Sequence, residues 1–172
     1  MLFVVKSGII TAIEPLVAAH YEEVKSIYAE GIATGQATLN TTAPNWNTWD
    51  KEHLAFARFI AIAEDKVAGW AALSPVSGRC VYSGVAEVSI YIGAAYRGQG
   101  IGKELLQHLV SASEENGIWT LQAGIIKENT ASVALHQVCG FRIVGLREKL
   151  GQLHGVWRDT YLLERRSTVV GV

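Results

Sequence analysis

The stretch Arg97-Gly98-Gln99-Gly100-Ile101-Gly102 lies between an apolar run that alternates like a strand and a run with helical spacing. Its glycines allow the backbone to take positive φ and to approach a ligand closely. A helix that begins inside the stretch offers unpaired N–H groups and the positive end of its dipole, which together bind phosphate groups. The stretch is neither a Walker A loop nor G-x-G-x-x-G, because no Gly-Lys-Ser/Thr closes it and its third glycine comes too early. The residues therefore fit a pyrophosphate cradle, or a glycine turn that only packs a helix on a strand.

The segments on either side of this stretch predict alternating strands and helices. Apolar and polar residues alternate in Val85–Ile92, which is typical of a strand. The helix that opens at Gly98 carries an apolar stripe and ends at Asn116-Gly117. A strand at Ile118–Ile126 and a helix at Asn129–Val138 follow. This half of the chain is predicted to form β-α-β-α units.

The rest of the chain predicts further strands, two more helices and two long loops. The final strands and the central hairpin argue against an all-parallel sheet, so we expect an α/β fold with a mixed sheet. These elements are a strand at Ile9–Pro15, a helix at Val17–Ile32, a polar loop at Thr34–Asn47, a helix capped by Thr48, a hairpin of Phe59–Ala63 and Val67–Leu73, a loop at Ser74–Gly84, and strands at Phe141–Leu146 and Val156–Leu163 joined by a segment with Gly151 and Gly155.

Composition sets limits on the class of protein. A chain of 172 residues fits one domain, with a core at about residues 9–165 and a C-terminal tail at 166–172 that we expect to be flexible. The net charge of -1 gives no reason to expect nucleic acid or an acidic membrane as a partner. No run has the length of a signal peptide or a membrane span. With no such run and only two cysteines, we predict a cytoplasmic protein. The cysteines and the histidines lack metal-ligand spacing, so we predict no metal site.

Two motifs in register resemble one known family. The stretch Arg97–Gly102 is similar to the Q/R-x-x-G-x-G/A signature of the GNAT superfamily of N-acetyltransferases. The segment Asn129–Phe141, with Gly140 before Phe141, resembles the Asn-bearing helix that follows in that family. The resemblance extends over roughly residues 10–165. It implies a mixed, mostly antiparallel sheet of about six or seven strands with about four flanking helices, splayed between the two central strands.

A narrower resemblance covers three other segments. Ala33–Thr38, Glu87–Ile92 and Gly155–Asp159 are similar to the branch that contains phosphinothricin and methionine sulfoximine N-acetyltransferases. This implies transfer of an acetyl group from acetyl-CoA to the α-amine of a small amino acid or analogue. The loop Ser74–Gly84 departs from that branch, which leaves the specific acceptor open.

The resemblance also implies which residues bind the cofactor. The glycine stretch would hold the pyrophosphate, and free backbone groups of the splayed strand would pair with the pantetheine arm. Asn129 has a simpler role as a helix N-cap, which is compatible with a contact to the arm. The cofactor-binding residues are expected to be Ser89, Ile90, Tyr91, Ile92, Arg97, Gly98, Gln99, Gly100, Ile101, Gly102, Asn129, Ser132 and His136.

Amine acetylation needs a base for the amine and a proton for the departing thiolate. Glu87, on the strand that leads into the glycine stretch, is the candidate general base, acting through water. The alternative is an outward-facing charge or a surface salt bridge. His136 is the candidate acid, since many members of the family have a tyrosine there and this branch has histidine. A partly buried histidine bonded to a carbonyl is the alternative, and Tyr91 is a second candidate acid.

Acceptor binding is assigned to Thr38, Arg79, Glu87 and Val88. A guanidinium binds a carboxylate with two parallel hydrogen bonds, which favours Arg79 as the partner of an amino acid, although a solvated loop arginine is equally compatible. Arg158 and Asp159 are interpreted as structural. Rival functions are acetylation of protein N-termini or lysines, and a catalytically silent CoA-binding regulatory module. We also expect a homodimer.

Overall fold

The computed structural model describes residues 12–172, which form one sheet flanked by helices. The strands run in the order β1-β2-β3-β4-β5-β7-β6, and every neighbouring pair is antiparallel except β4 and β5. The strands are β1 Ala12–Pro15, β2 Phe59–Ala63, β3 Lys66–Pro75, β4 Val85–Ile92, β5 Thr120–Ile126, β6 Arg142–Leu153 and β7 Val156–Arg166. The helices are α1 Tyr21–Ala33, α2 Trp46–Glu52, α3 Ile101–Glu115 and α4 Thr130–Val138.

This architecture confirms the predicted fold class, a mixed and mostly antiparallel sheet with four helices in the described range. Residues 9–11 of the predicted first strand lie outside the described residues, as does the short apolar N-terminus. No helix within residues 12–172 is long and apolar enough to cross a membrane.

The two central strands separate after a short parallel ladder. β4 pairs with β5 only from Val85↔Thr120 to Glu87↔Gln122. β4 nevertheless continues to Ile92 and stays paired with β3 along its other side, as far as Gly69↔Ile92. The second half of β4 therefore faces a gap, which is the splay that the sequence resemblance implied.

Side chains on the two faces of the sheet form separate cores. Residues that alternate along β3, such as Ala71 and Leu73, pack with Leu105 and Leu109 of α3. The intervening Trp70 points to the opposite face, where it packs with α1 and with Trp49 of α2. Burial of large apolar side chains is the main stabilising term in folding, and here it fixes α1 and α3 on opposite sides of the splayed strands.

Helix capping differs from the prediction at α2. The predicted N-cap, Thr48, is wrong, because Asn45 holds that position and its side chain accepts a hydrogen bond from the Thr48 N–H at 3.0 Å. Asparagine and threonine are both preferred N-cap residues, and asparagine ranks higher, which agrees with the observed cap. The polar loop consequently ends at Asn45 instead of Asn47.

The last hairpin is longer than predicted. β6 continues to Leu153 and β7 to Arg166, so only His154 and Gly155 form the turn. The predicted connecting segment with Gly151 is part of β6, interrupted by a bulge between Arg147 and Gly151. A bulge disturbs the period-two pattern, which is why the sequence failed to indicate a strand there.

The end of the chain is tied to the sheet by Arg166. Its guanidinium donates to the carbonyl groups of Trp119, Ser167, Val170 and Gly171, at 2.6–3.0 Å. The side chain of Ser167 is buried and accepts hydrogen bonds from the N–H groups of Val169 and Val170.

Candidate active site

The glycine stretch forms the loop at the start of α3. Gly98 and Gly100 have φ of 74° and 86°, and Gly100 is the N-cap of the helix, with no side chain capping it. A Cβ added at either position would meet no atom within 4 Å, so both glycines face open space. Gly102 differs, because an added Cβ would lie 3.2 Å from Leu135 of α4. Two glycines therefore leave room for a ligand, and the third allows two helices to pack.

Side-chain hydrogen bonds hold this loop in place. The Arg97 Nε donates to the carbonyl of Ile92 at 3.1 Å, and the Gln99 amide donates to the carbonyl of Ala95 at 2.9 Å. A carboxylate oxygen of Glu30 on α1 accepts the N–H of Ala94 at 2.7 Å. The loop is thus anchored to β4 and α1, which orders its backbone N–H groups before any ligand binds.

A groove of about 570 Å³ runs from this loop towards the splayed strands. Its walls are the loop, one face of α4, the end of α1 with the segment after it, and Ile90 to Ile92 of β4. The cations Arg97 and Lys103 lie at its loop end. One end of the groove offers positive charge and helix N–H groups, and the other offers the edge of β4 that β5 leaves unpaired. This arrangement fits a long ligand with a pyrophosphate and an amide-bearing arm.

The predicted cofactor residues fall into different positions around this groove. Arg97, Gly98, Gly100, Ile92, Asn129 and Ser132 line it. The side chain of Ile101 is buried in the core, and that of Gln99 is hydrogen-bonded within the loop. Any contact of these two residues with a ligand would therefore come from the backbone. Asn129 is the N-cap of α4, since its Oδ1 accepts the Ser132 N–H at 3.2 Å.

A second cavity of about 340 Å³ adjoins the groove through the splay. The two share a wall made of Ala37, Ile90, Tyr91, Asn129 and Ser132. Residues of the loop between α1 and α2 and of the β6 bulge form its other side. A site of this size accommodates a small organic molecule. We refer to it as the acceptor cavity.

Glu87 lines the acceptor cavity at the position where the splay begins. Its Oε2 accepts a hydrogen bond from the side-chain amide of Gln122 at 2.7 Å. Gln122 is its direct neighbour on β5 in the last paired position. The carboxylate is half-buried and held on one side, and it has no cationic partner among the described residues.

Tyr91 lies where the two cavities meet. Its ring stacks on Trp70 with centroids 4.9 Å apart and meets Tyr28 edge-on at 4.7 Å. Burial raises the pKa of Tyr91 well above its usual range, and the neighbouring Tyr28 adds to this, while a hydrogen bond with Thr38 opposes it. The hydroxyl therefore keeps its proton and acts as a hydrogen-bond donor.

His136 is buried, with 2% of its surface exposed, and lines the acceptor cavity. Its Nδ1 lies 2.8 Å from the carbonyl of Ser132, which fixes the proton on Nδ1. Its Nε2 has no hydrogen-bond partner among the described residues. Burial lowers the pKa of His136, and the Ser132 carbonyl opposes this only in part. The ring is thus neutral at physiological pH, and Nε2 is an acceptor.

The predicted acceptor residues are only partly brought together. Thr38 and Glu87 line the acceptor cavity, and so does Ser89. Val88 lines it as well, but its side chain belongs to the core on the α3 side. Arg79 lies elsewhere, on an exposed loop with its guanidinium over the ring of Tyr82 at 5.4 Å, and it lines neither cavity.

Several residues of the acceptor cavity have no counterpart in the sequence prediction. They come from elements far from Glu87 in the chain, and their motifs carry no chemical signature. They are Tyr28, Leu39, Asn40, Arg147, Leu150 and Thr160. Gln122, which does not line the cavity but holds Glu87, was also missed. Gln122 could have been noticed as a long polar side chain between Leu121 and Ala123 in a mostly apolar strand. Within residues 12–172, no group of three His, Cys, Asp or Glu side chains is arranged to hold a metal ion.

A family model and several curated proteins match this chain. The model, described as the acetyltransferase (GNAT) family, matches residues 21–141. A phosphinothricin N-acetyltransferase of Alcaligenes faecalis is 31% identical over 150 residues, which are 83% of this chain and 75% of that protein. An L-methionine sulfoximine/L-methionine sulfone acetyltransferase of Pseudomonas paraeruginosa is 30% identical over 148 residues, which are 81% of this chain and 84% of that protein.

A solved structure also matches along most of its length. It is a GNAT superfamily phosphinothricin acetyltransferase from Sinorhizobium meliloti in complex with AcCoA. The TM-score is 0.83 at 31% identity, and the match covers 92% of this chain and 89% of that one. The same fold in that protein holds the ligand type for which the groove above is suited.

Proposed function

The chain belongs to the acetyltransferase (GNAT) family and is an acetyl-transferring enzyme, and we propose that it moves the acetyl group of acetyl-CoA to the α-amine of a small amino acid or analogue. One observation carries the proposal: a long groove and a small cavity share a wall at the splay, and Glu87 lies in the cavity. An acyl donor in the groove would meet an amine in the cavity through the gap between β4 and β5.

The groove fits acetyl-CoA by its chemistry. Gly98 and Gly100 leave space for a pyrophosphate at the start of α3, where N–H groups and the helix dipole favour negative charge. Arg97 and Lys103 add positive charge at the same end. The unpaired backbone of residues 88–92 offers hydrogen bonds to the pantetheine arm, and one of its N–H groups would stabilise the developing oxyanion.

Glu87 is proposed as the general base. A free amino acid carries an ammonium group at neutral pH, and only its neutral amine attacks a thioester. The Glu87 carboxylate, oriented by Gln122, would take the amine proton directly or through water. Its lack of a cationic partner among the described residues keeps it available for that task.

Stabilisation of the departing sulfur by a hydrogen bond is assigned to Tyr91 and not to His136. Tyr91 retains its proton and lies in the wall common to both cavities, so it would donate a hydrogen bond to the thiolate. The His136 Nε2 is a neutral acceptor, which suits it to receive a hydrogen bond from the amine or from a bridging water. This reverses the order of preference in the prediction from the sequence.

The size of the acceptor cavity favours a small substrate over a protein. The loop between α1 and α2 contributes Thr38, Leu39 and Asn40 to its wall, and the β6 bulge contributes Leu150. A cavity of about 340 Å³ has room for an amino acid, whereas an extended peptide needs an open channel. The names of the relatives, phosphinothricin and methionine sulfoximine acetyltransferases, point to the same class.

The test is release of free CoA thiol from acetyl-CoA with a panel of acceptors. The panel contains proteinogenic amino acids, methionine sulfoximine, methionine sulfone, phosphinothricin and short peptides. We expect turnover with amino acids or their analogues and none with peptides. Turnover with peptides alone would favour acetylation of protein N-termini or lysines. Binding of CoA without turnover on any amine would favour a silent CoA-binding module.

Homodimer formation and a cytoplasmic location stay predictions. The hairpin of β6 and β7 exposes several large apolar side chains, which favours a protein contact there. They are Ile143, Val144, Leu146, Val156 and Trp157. Sedimentation equilibrium of the purified chain measures its mass directly, and a monomer at micromolar concentration would contradict the dimer.

A further inference from the structure

The acceptor cavity contains one negative and one positive side chain among the described residues. The negative one is Glu87, and the positive one is Arg147 of β6. The guanidinium of Arg147 donates no hydrogen bond and forms no ion pair within residues 12–172. An unpaired guanidinium at the mouth of a cavity is a recognition element for carboxylates.

The β6 bulge places Arg147 there. Arg147 pairs with Thr160 and Gly151 with Arg158, so residues 148–150 of β6 face a single residue, Asp159, on β7. Within the bulge Lys149 has φ of 48°, and its N–H donates to the Asp159 Oδ1 at 2.9 Å. Bulges redirect the side chains beside them. Here Arg147 and Leu150, on either side of Lys149, both line the cavity.

The bulge is also fitted to the loop between α1 and α2. A Cβ added to Gly151 would lie 2.6 Å from the Cδ1 of Leu39, so the loop packs closely against β6 at this glycine. Leu39 and Thr38 continue this contact into the cavity wall. Arg147 is exposed, and it lies on the side of β6 that lines the acceptor cavity next to this loop.

We infer that Arg147 binds the carboxylate of the acceptor, which makes the substrate class a zwitterion with its amine towards Glu87. The inference rests on the proposed function and deepens it. An α-amino acid carries an ammonium and a carboxylate, and the cavity presents the complementary pair of charges. Arg79 is the rival from sequence, but it lies over Tyr82 outside both cavities.

The experiment compares each acid with its carboxamide. L-methionine sulfoximine and L-methionine sulfone are assayed beside their carboxamides by thiol release, with the parent and the Arg147→Gln variant. Arg147→Gln is expected to raise KM for the acids by on the order of 10- to 100-fold, as for loss of a hydrogen bond to a charged group. KM for the carboxamides and the Kd of acetyl-CoA stay within about twofold, and Arg147→Lys recovers part of the loss.

Arg142→Gln is the matched control. Arg142 lies on the same strand, pairs with Glu164, and lines neither cavity. The Arg142→Gln variant is expected to keep the parent's preference for the acids over the carboxamides. If Arg147→Gln keeps that preference, or if Arg79→Gln abolishes it instead, the assignment of Arg147 is overturned while the proposed function stands. If the parent acetylates no amino acid at all, both the proposed function and the assignment of Arg147 are contradicted.

Asp159 is a positioning residue in this scheme, and it has its own test. Asp159→Asn keeps the oxygen that accepts the Lys149 N–H, and Asp159→Ala removes it. We expect Asp159→Ala to raise KM for the acids more than for the carboxamides, and Asp159→Asn to resemble the parent. An equal loss of activity on acids and carboxamides would mean that Asp159 only stabilises the fold.

Discussion

The carboxylate of Glu87 and the side-chain amide of Gln122 are joined by a 2.7 Å hydrogen bond across the last paired position of β4 and β5. Beyond this pair the strands separate, and the two cavities meet in the gap. The proposed base is therefore fixed by a neighbour at the one point where the sheet is still closed, and it faces the space where the sheet is open.

Replacing Glu87 by Gln should abolish base catalysis and spare cofactor binding. The side chain keeps its size, but it can no longer accept the amine proton. We expect turnover to fall by about 100-fold or more, which is typical of a lost general base. The Kd of acetyl-CoA should stay within about twofold, because Glu87 lies in the acceptor cavity and not in the groove. Steady-state kinetics and calorimetry measure the two quantities, and unchanged turnover would require another base.

Replacing Gln122 by Met should weaken catalysis without unfolding the protein. Methionine fills a similar volume, but it cannot donate to the Glu87 carboxylate. We expect kcat to fall by about tenfold, the cost of losing one hydrogen bond to a charged group. A double-mutant cycle with Glu87→Gln provides the control. If the two losses simply add, Gln122 does not act through Glu87.

Substitutions at Gly100 should separate backbone strain from charge at the groove. Gly100→Ala places a side chain at φ of 86° and costs about 1–2 kcal/mol through the left-handed conformation. Gly100→Glu adds a negative charge where a phosphate would lie, and should weaken CoA binding by about 100-fold or more. Gly78→Glu is the matched control, because Gly78 lies in open space outside the groove. Calorimetry that finds equal CoA affinity for Gly100→Glu and Gly78→Glu would contradict the cofactor assignment.

Replacing Tyr91 by Phe should show whether its hydroxyl assists the departing thiolate. Phenylalanine keeps the stacking on Trp70 and the contact with Tyr28. We expect kcat with acetyl-CoA to fall by about tenfold, as for a lost donor in the active site. An activated aryl thioester, whose sulfur leaves without protonation, should react at nearly the parent rate. A similar loss with both donors would assign the hydroxyl to positioning.

The pKa of His136 predicts how stability depends on pH. Burial lowers that pKa in the folded chain, so the unfolded chain binds the proton more readily. The free energy of unfolding should therefore be highest above about pH 6.5, the usual histidine pKa, and fall as the pH drops towards the folded value. Burial also lowers the pKa values of His53 and His108, so they act in the same direction.

His136→Gln should remove part of this dependence. The difference between the melting temperatures at about pH 7.5 and about pH 5 should shrink relative to the parent, and His53 and His108 continue to contribute to the part that remains. Calorimetric scans over this range measure it. A variant with the parent's full difference would mean that His136 is already protonated in the folded chain.

The sequence predicted the parts of the site whose determinants are local. The glycine stretch, the strand before it and the Asn129 cap depend on neighbouring residues, and the structure places them as expected. Glu87 could be singled out because it precedes that stretch on the same strand. These positions follow from backbone propensity and helix-end chemistry alone.

The other wall of the acceptor cavity depends on long-range contacts. Arg147 is 60 residues from Glu87 in sequence and reaches the cavity only through the β6 bulge, whereas Arg79 is near Glu87 in sequence and lies outside the cavity. The bulge itself breaks the alternation by which a strand is recognised. Pairing across the sheet decides these features, and one sequence carries little signal of it.

The separation of β4 and β5 also has a consequence for solubility. Residues 88–92 present a strand edge without a neighbouring strand, and exposed edges of this kind invite pairing with other chains and aggregation. This edge, however, is recessed in the middle of the sheet, between α1 and α3, where a strand from another molecule would have to enter past both helices. Only a narrow, flexible chain can reach it. The protein can thus keep an open strand edge for its substrate without aggregating with other copies of itself.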